Sequence, residues 1–235
     1  MTQYAGGKSR VGKKIHNKIR EYEYLKTGEN NLPYLEPFLG MGGVMKHIAS
    51  TDGRPIIIGC DYEKCIMSFW KGIQSGWEPV VINKEEYLCV KNACVENDPS
   101  YAFTAFGCSF RGLKWGGFCQ SGMERAIKRI SLQNYKEIVK NVLFLDERSY
   151  EKHSPSGMLI YLDPPYINST FDSRKNNLKY FNCDVFWVKV REWSVHNIVI
   201  VSEREAPDDF ECIYEFERQN GINQTTLTEK LFVYN

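Results

Sequence analysis

The chain has 235 residues, 43% of them hydrophobic and 25% charged, with a formal net charge of +1. That is an ordinary globular mix, able to bury a sizeable core, and no apolar run approaches the ~20 residues needed to span a bilayer. The basic N-terminus leads into no apolar stretch, so no signal peptide is expected, and eight cysteines without a Cys-x-x-Cys pair read as reduced thiols rather than as a zinc site.

In chain order, Lys8 to Arg20 carries six basic residues (Lys8, Arg10, Lys13, Lys14, Lys18 and Arg20) and no acid. Ile15, Ile19 and Tyr22 recur there at helical spacing. "YLEPF" reads as a short strand that runs into glycines, and "GVMKHIAS" resumes a helix. "PIIIGCD" is a second buried strand, followed by "YEKCIMSFWKGI", helical by period. From about Pro99 to Gln133 the pattern weakens, and "FGCSFRGLKWGGFCQSG" predicts an exposed, partly irregular module. Between Arg111 and Lys136, Arg111, Lys114, Arg125, Lys128, Arg129 and Lys136 face the single Glu124. These basic stretches either offer a positive face to a polyanion or are solvated helix faces.

Two further strands, "MLIYLD" and "NIVIVS", precede "ECIYEFE" and "EKLFVYN", which are expected to pair as a hairpin. Trp70, Trp187 and Trp193 fall on apolar helical faces and are expected in the core. Strands interleaved with helices imply an α/β fold with a mostly parallel sheet covered on both faces.

Three strand ends carry residues suited to a ligand crevice, which open parallel sheets place beyond their carboxyl edge. In "EPFLGMGGV", Gly40, Gly42 and Gly43 let backbone approach a ligand closely, although a plain tight turn uses the same residues. Asp61 ends the second strand about 20 residues later, where it either accepts from ribose hydroxyls or caps the next helix. In "MLIYLDPPY", Pro164 and Pro165 cannot continue a ladder, so they stiffen the chain and fix the directions of Asp163 and the Pro164 carbonyl. With the ring of Tyr166 these two acceptors make a pocket for a planar group bearing an NH₂.

The N-terminal "YAGGKSR", "EPFLGMGG" and "DPPY", in that order along the chain, resemble the Dam-like (D12 class, α-group) adenine-N6 DNA methyltransferases, in particular their phage-borne members. The resemblance implies a Rossmann-like S-adenosylmethionine-dependent methyltransferase fold. It implies a catalytic, cofactor-binding domain over 1–98 and 134–235 and a target-recognition insert over 99–133. Asp163, Pro164, Pro165 and Tyr166 would be catalytic. Tyr4, Lys8, Glu36, Pro37, Phe38, Gly40, Gly42, Asp61 and Asp163 would hold S-adenosylmethionine. Lys8, Arg10, Arg111, Lys114, Trp115 and Arg125 would meet double-stranded DNA, with no metal required. A cytoplasmic setting in a bacterial or phage-infected cell follows, with a cognate restriction endonuclease as a candidate partner. "FRGLKWGGF" departs from the Arg-x-Asn-x-x-Gly-x-Phe-Asn pattern of GATC-specific members, so the target sequence stays open. Cytosine N4 as acceptor, a catalytically silent DNA-binding relative, and an RNA or protein methyltransferase are the rival readings.

Overall fold

A computed structural model of the chain describes residues 4, 6–132, 134–146, 149–165, 181–219 and 226–234. Its first half contains α1 (Gly12–Thr27), β1 (Tyr34–Glu36), α2 (Met45–Thr51), β2 (Ile57–Gly59), α3 (Lys64–Ser75), α4 (Lys84–Ala93) and α5 (Pro99–Ala102). There follow a π-helical turn at Phe103–Gly107, α6 (Gln120–Leu132), α7 (Tyr135–Val139), β3 (Val142–Phe144) and β4 (Leu159–Leu162). The chain closes with α8 (Cys183–Ser194), β5 (Ile198–Glu203), β6 (Phe210–Gln219) and β7 (Thr226–Tyr234).

Seven strands make one sheet in the order β3-β2-β1-β4-β5-β7-β6. The first five in that order are mutually parallel, and β7 runs antiparallel to both β5 and β6. This is the Rossmann-like α/β class with the expected C-terminal antiparallel pair. From β1 the chain winds outward to β2 and β3, then returns to lay β4 against the other side of β1. The order therefore reverses between β1 and β4, the place where such sheets open a crevice at their carboxyl ends.

Alternation along the strands explains why "LIYL" is apolar throughout. Leu159 and Tyr161 join Tyr34, Ile200 and Leu231 in one core with α1, α2 and α3. Ile160 and Leu162 join Leu35, Val199 and Val201 against Phe186, Trp187, Val190 and Trp193 of α8. A strand covered on both faces has no solvent side to mark with polar residues, and each such side chain fully buried stabilises by about 1.5–3 kcal/mol. Trp70, Trp187 and Trp193 are buried as expected. The α8 helix starts where Asn182 accepts from the backbone N–H groups of Asp184 and Val185.

Two findings differ from expectation. The short strand β3 has no counterpart in the reading of the sequence, because three residues with the middle one exposed give neither a run nor a period. The segment predicted to be exposed and partly irregular is so only in part: every residue from Tyr101 to Ser109 is buried, and Gln120–Leu132 forms the regular helix α6. Its aromatic residues pack with Trp70 and Phe69 in the same core that lies under the sheet. Glycine and aromatic content here serves close packing around a π-turn rather than a solvent-facing loop.

Candidate functional site

A cavity opens at the carboxyl edge between β1 and β4, with about 1330 Å³ of empty space when its open mouth is included. Tyr4, Lys8, Glu36, Pro37, Phe38, Gly40, Asp61, Asp163, Pro164 and Pro165, all expected from the sequence to meet cofactor or substrate, lie on its wall. The pairing of Leu35 with Ile160 explains their convergence, since it brings the exits of β1 and β4 side by side. Tyr166 lies outside the described residues.

The glycine turn is shaped by its neighbours. Gly40 has φ +46°, and a Cβ there would stand 3.2 Å from the Tyr4 ring. Gly42, at φ +61°, sits behind the wall: a Cβ would meet the Trp70 ring at 2.7 Å. Gly42 thus makes room for the tryptophan, whose indole N–H donates to the Gly40 carbonyl at 2.9 Å, rather than for a ligand.

Asp61 bonds backbone on both sides of the cavity wall. One carboxylate oxygen accepts from the Gly40 backbone N–H at 2.7 Å and the other from the Glu63 N–H at 2.9 Å, just before α3. The carboxylate thereby staples the glycine turn to the start of α3 while still lining the cavity. Burial raises its pKa to about 6 against those two hydrogen bonds.

Around the mouth of β4 the charges are dense. The Lys8 ammonium is 2.6 Å from Asp163 Oδ1 and 3.6 Å from Glu229 Oε2 on β7. Lys8 is only 2% exposed and Glu229 1%. Burial pushes Glu36 up to about 8, although the Tyr34 hydroxyl donates to it at 2.7 Å. Glu203, at the end of β5, rises to about 7, chiefly through burial and secondarily through Asp163. Acids outnumber cations here, so the wall suits a ligand carrying positive charge or hydrogen-bond donors.

The residues expected to meet DNA divide. Arg10, Arg111 and Arg125 are exposed. Lys8 is not a solvated phosphate contact, because its charge is committed to Asp163 inside the wall. Lys114 pairs with Glu63 at 2.8 Å. Trp115 does not project as an intercalating ring, since it is half-buried and packed edge-on against Tyr87 and Tyr101 at 5.4 and 5.1 Å. Glu63, Tyr150, Glu203 and Glu229 were not singled out from the sequence. Glu63 stands two residues from Asp61 and could have been read from that spacing, whereas Glu229 enters only through the register of β7.

Among the described residues no cluster of His, Cys, Asp or Glu could hold a metal, and no helix is long and apolar enough to cross a membrane. No protein-family profile and no curated protein matches the chain by sequence. Solved structures match loosely. A proposed RNA methyltransferase from Pyrococcus horikoshii is 7% identical with a TM-score of 0.43, over 94% of this chain and 83% of that one. The rRNA methyltransferase aviRa from Streptomyces viridochromogenes is 10% identical with a TM-score of 0.40, over 94% and 83%. A methyltransferase from Pyrococcus furiosus is 13% identical with a TM-score of 0.35, over 92% and 82%. Likeness at that distance does not bear on chemistry, which rests on the atoms of the site.

Proposed function

We propose that the protein is an S-adenosylmethionine-dependent methyltransferase that modifies the N6 amino group of adenine in duplex DNA. The observation that carries this reading is the convergence of Asp163-Pro164 and the Gly40 turn, from β4 and β1, on one cavity at the switch point of the sheet. Asp-Pro-Pro after an apolar strand presents two oxygen acceptors on a stiff stem, and a planar amine is what such a pair receives.

The cavity fits the proposed cofactor. Its Asp61 and Asp163 carboxylates complement a cation and the Glu36 carboxyl offers a further hydrogen-bonding group, and the turn at Gly40 brings backbone rather than a side chain to the surface. When bound, S-adenosylmethionine supplies an electrophilic methyl group on a sulfonium. Glu36, Gly40 and Asp61 would hold it, with Asp61 offering its carboxylate to the nucleoside end.

The protein's own residues then act on the acceptor. An exocyclic amine is a poor nucleophile because its lone pair is delocalised into the ring. Hydrogen bonds accepted by the Asp163 carboxylate and the Pro164 carbonyl draw that nitrogen toward tetrahedral geometry and expose the lone pair. Such fixed acceptors act without reorganising, which is where most of the rate gain arises. Lys8 holds the Asp163 carboxylate in its working position and shares its own charge with Glu229. Extruding the base from a duplex costs a few kcal/mol; stacking on Tyr166, the role the motif implies for it, would offset about 1–3 kcal/mol of that. The exposed Arg10, Arg111 and Arg125 supply phosphate contacts that weaken with salt. The insert over 99–133 serves target recognition.

The test is transfer of a tritiated methyl group from S-adenosylmethionine to duplex DNA, followed by digestion and mass spectrometry of the nucleosides. N6-methyladenine is the expected product. N4-methylcytosine would move the acceptor to the other amine the same pocket can hold. Methylation of RNA in preference to duplex DNA, or no transfer with cofactor bound, would overturn the DNA reading.

A further inference from the structure

We propose that Lys114 is a positioning residue for the cofactor pocket, coupling the recognition insert to the nucleoside wall through Glu63. The inference rests on the methyltransferase reading and deepens it. Its geometry is a chain of contacts that starts in the insert and ends at the glycine turn. The Lys114 ammonium donates to Glu63 Oε2 at 2.8 Å, with side chains 28% and 15% exposed. The backbone N–H of Glu63 holds Asp61, and the other oxygen of Asp61 holds the N–H of Gly40. Asp61, Glu63 and Gly40 all line the cavity.

Lys114 is itself held firmly. It stands between Arg111 and Trp115, both in the left-handed region at φ 56° and 57°, a conformation that non-glycine residues keep only where the surroundings enforce it. The enforcement is visible: the Trp115 N–H donates to the Ala105 carbonyl at 2.9 Å, and its ring is lodged against Tyr87 and Tyr101. A second junction joins the same two parts, because the Tyr4 ring on the cavity wall meets Phe106 of the π-turn at 4.9 Å. The insert is therefore a supporting wall of the pocket. A ligand that fixes Asp61 and Glu63 also fixes the loop that carries Lys114, and by linkage a partner that fixes the loop favours the ligand equally.

The experiment uses the full chain with S-adenosylhomocysteine as probe, reading affinity by calorimetry and hydrogen exchange across 105–118. In the wild type, the probe should slow exchange in this segment. Lys114→Met should bind it about tenfold more weakly and lose the slowing, with an unchanged melting temperature excluding mere unfolding. Lys114→Arg should restore both, and Glu63→Gln should reproduce the methionine variant. Wild-type affinity and undiminished slowing in Lys114→Met would overturn the coupling alone. A wild-type chain that ignores the probe would overturn the methyltransferase reading and the coupling with it.

Discussion

Two buried charge clusters stand at opposite ends of the same parallel strands. At the amino edge, ahead of β1 and β2, Arg54 bonds both oxygens of Glu23, Asp52 and the Leu32 carbonyl, and Asp52 also takes His16 at 2.7 Å. The side chains of Arg54, Glu23 and Asp52 are fully enclosed. Against the burial that would otherwise raise it, Asp52 is held below the usual carboxylate range by His16. At the carboxyl edge Lys8 faces Asp163 and Glu229, with Glu36 and Glu203 raised to about 8 and 7 chiefly by burial. One cluster is balanced and closed; the other carries surplus acid and opens on a cavity. Charge enclosed among close partners is architecture, whereas acids raised by burial beside a space are poised to exchange protons or hydrogen bonds with a ligand.

The largest effect should come from the open edge. Asp163→Ala should lower methyl transfer by at least about 10²–10³-fold while DNA binding by gel shift survives, because the proposed mechanism sets the carboxylate on the reacting nitrogen and not on phosphates. Substantial turnover by that variant in the tritium assay would remove Asp163 from the mechanism. At the closed edge, Arg54→Met should cost about 3–5 kcal/mol in urea denaturation, since Glu23 and Asp52 are left charged with no route to water.

Lys8→Met sharpens the contrast. It removes a buried cation too, yet Asp163 is 18% exposed and the neighbouring acids take up protons readily, so its stability cost should be about half that of Arg54→Met. Equal costs for the two variants would erase the distinction between the edges. A further effect concerns pH. The folded pKa of Glu36, about 8, lies above the unfolded value of 4.5, so the folded state holds the extra proton between them. Its stabilising contribution is complete below pH 4.5 and is lost as pH rises through 8. Glu36→Gln cannot ionise, so its melting temperature should gain on the wild type as pH rises from 5 to 9; parallel melting curves would contradict the assignment.

Much of this edge was legible from residues alone. Glycines after a strand, an acid after the next strand, and an acid followed by two prolines after a third each announce a strand end. Their types say what the ends can do. The fate of the basic residues was not legible. Lys8 and Arg10 lie two apart in one basic run, but Lys8 is turned into the wall and Arg10 is exposed. Nothing in the run distinguishes them; the close packing of the start of α1 on the glycine turn does, with a Cβ on Gly43 only 2.9 Å from that of Lys8. Trp115 was similarly opaque, since the same Lys-Trp-Gly-Gly composition suits a projecting loop and a packed one.

The amino-acid order by itself determined the alternation of strands and helices, the two-sided burial of β4, and the chemistry set down at each strand end, because these follow from periods of two and 3.6 residues and from what glycine and proline permit. Tertiary structure alone decided that Glu229 reaches Lys8, that the stretch from Tyr101 to Ser109 is buried, and that Lys114 pairs with Glu63. Those depend on the register of β7 and on shape-matching between segments 50 to 220 residues apart, where the balance is set by summed burial over the whole core rather than by any local pattern.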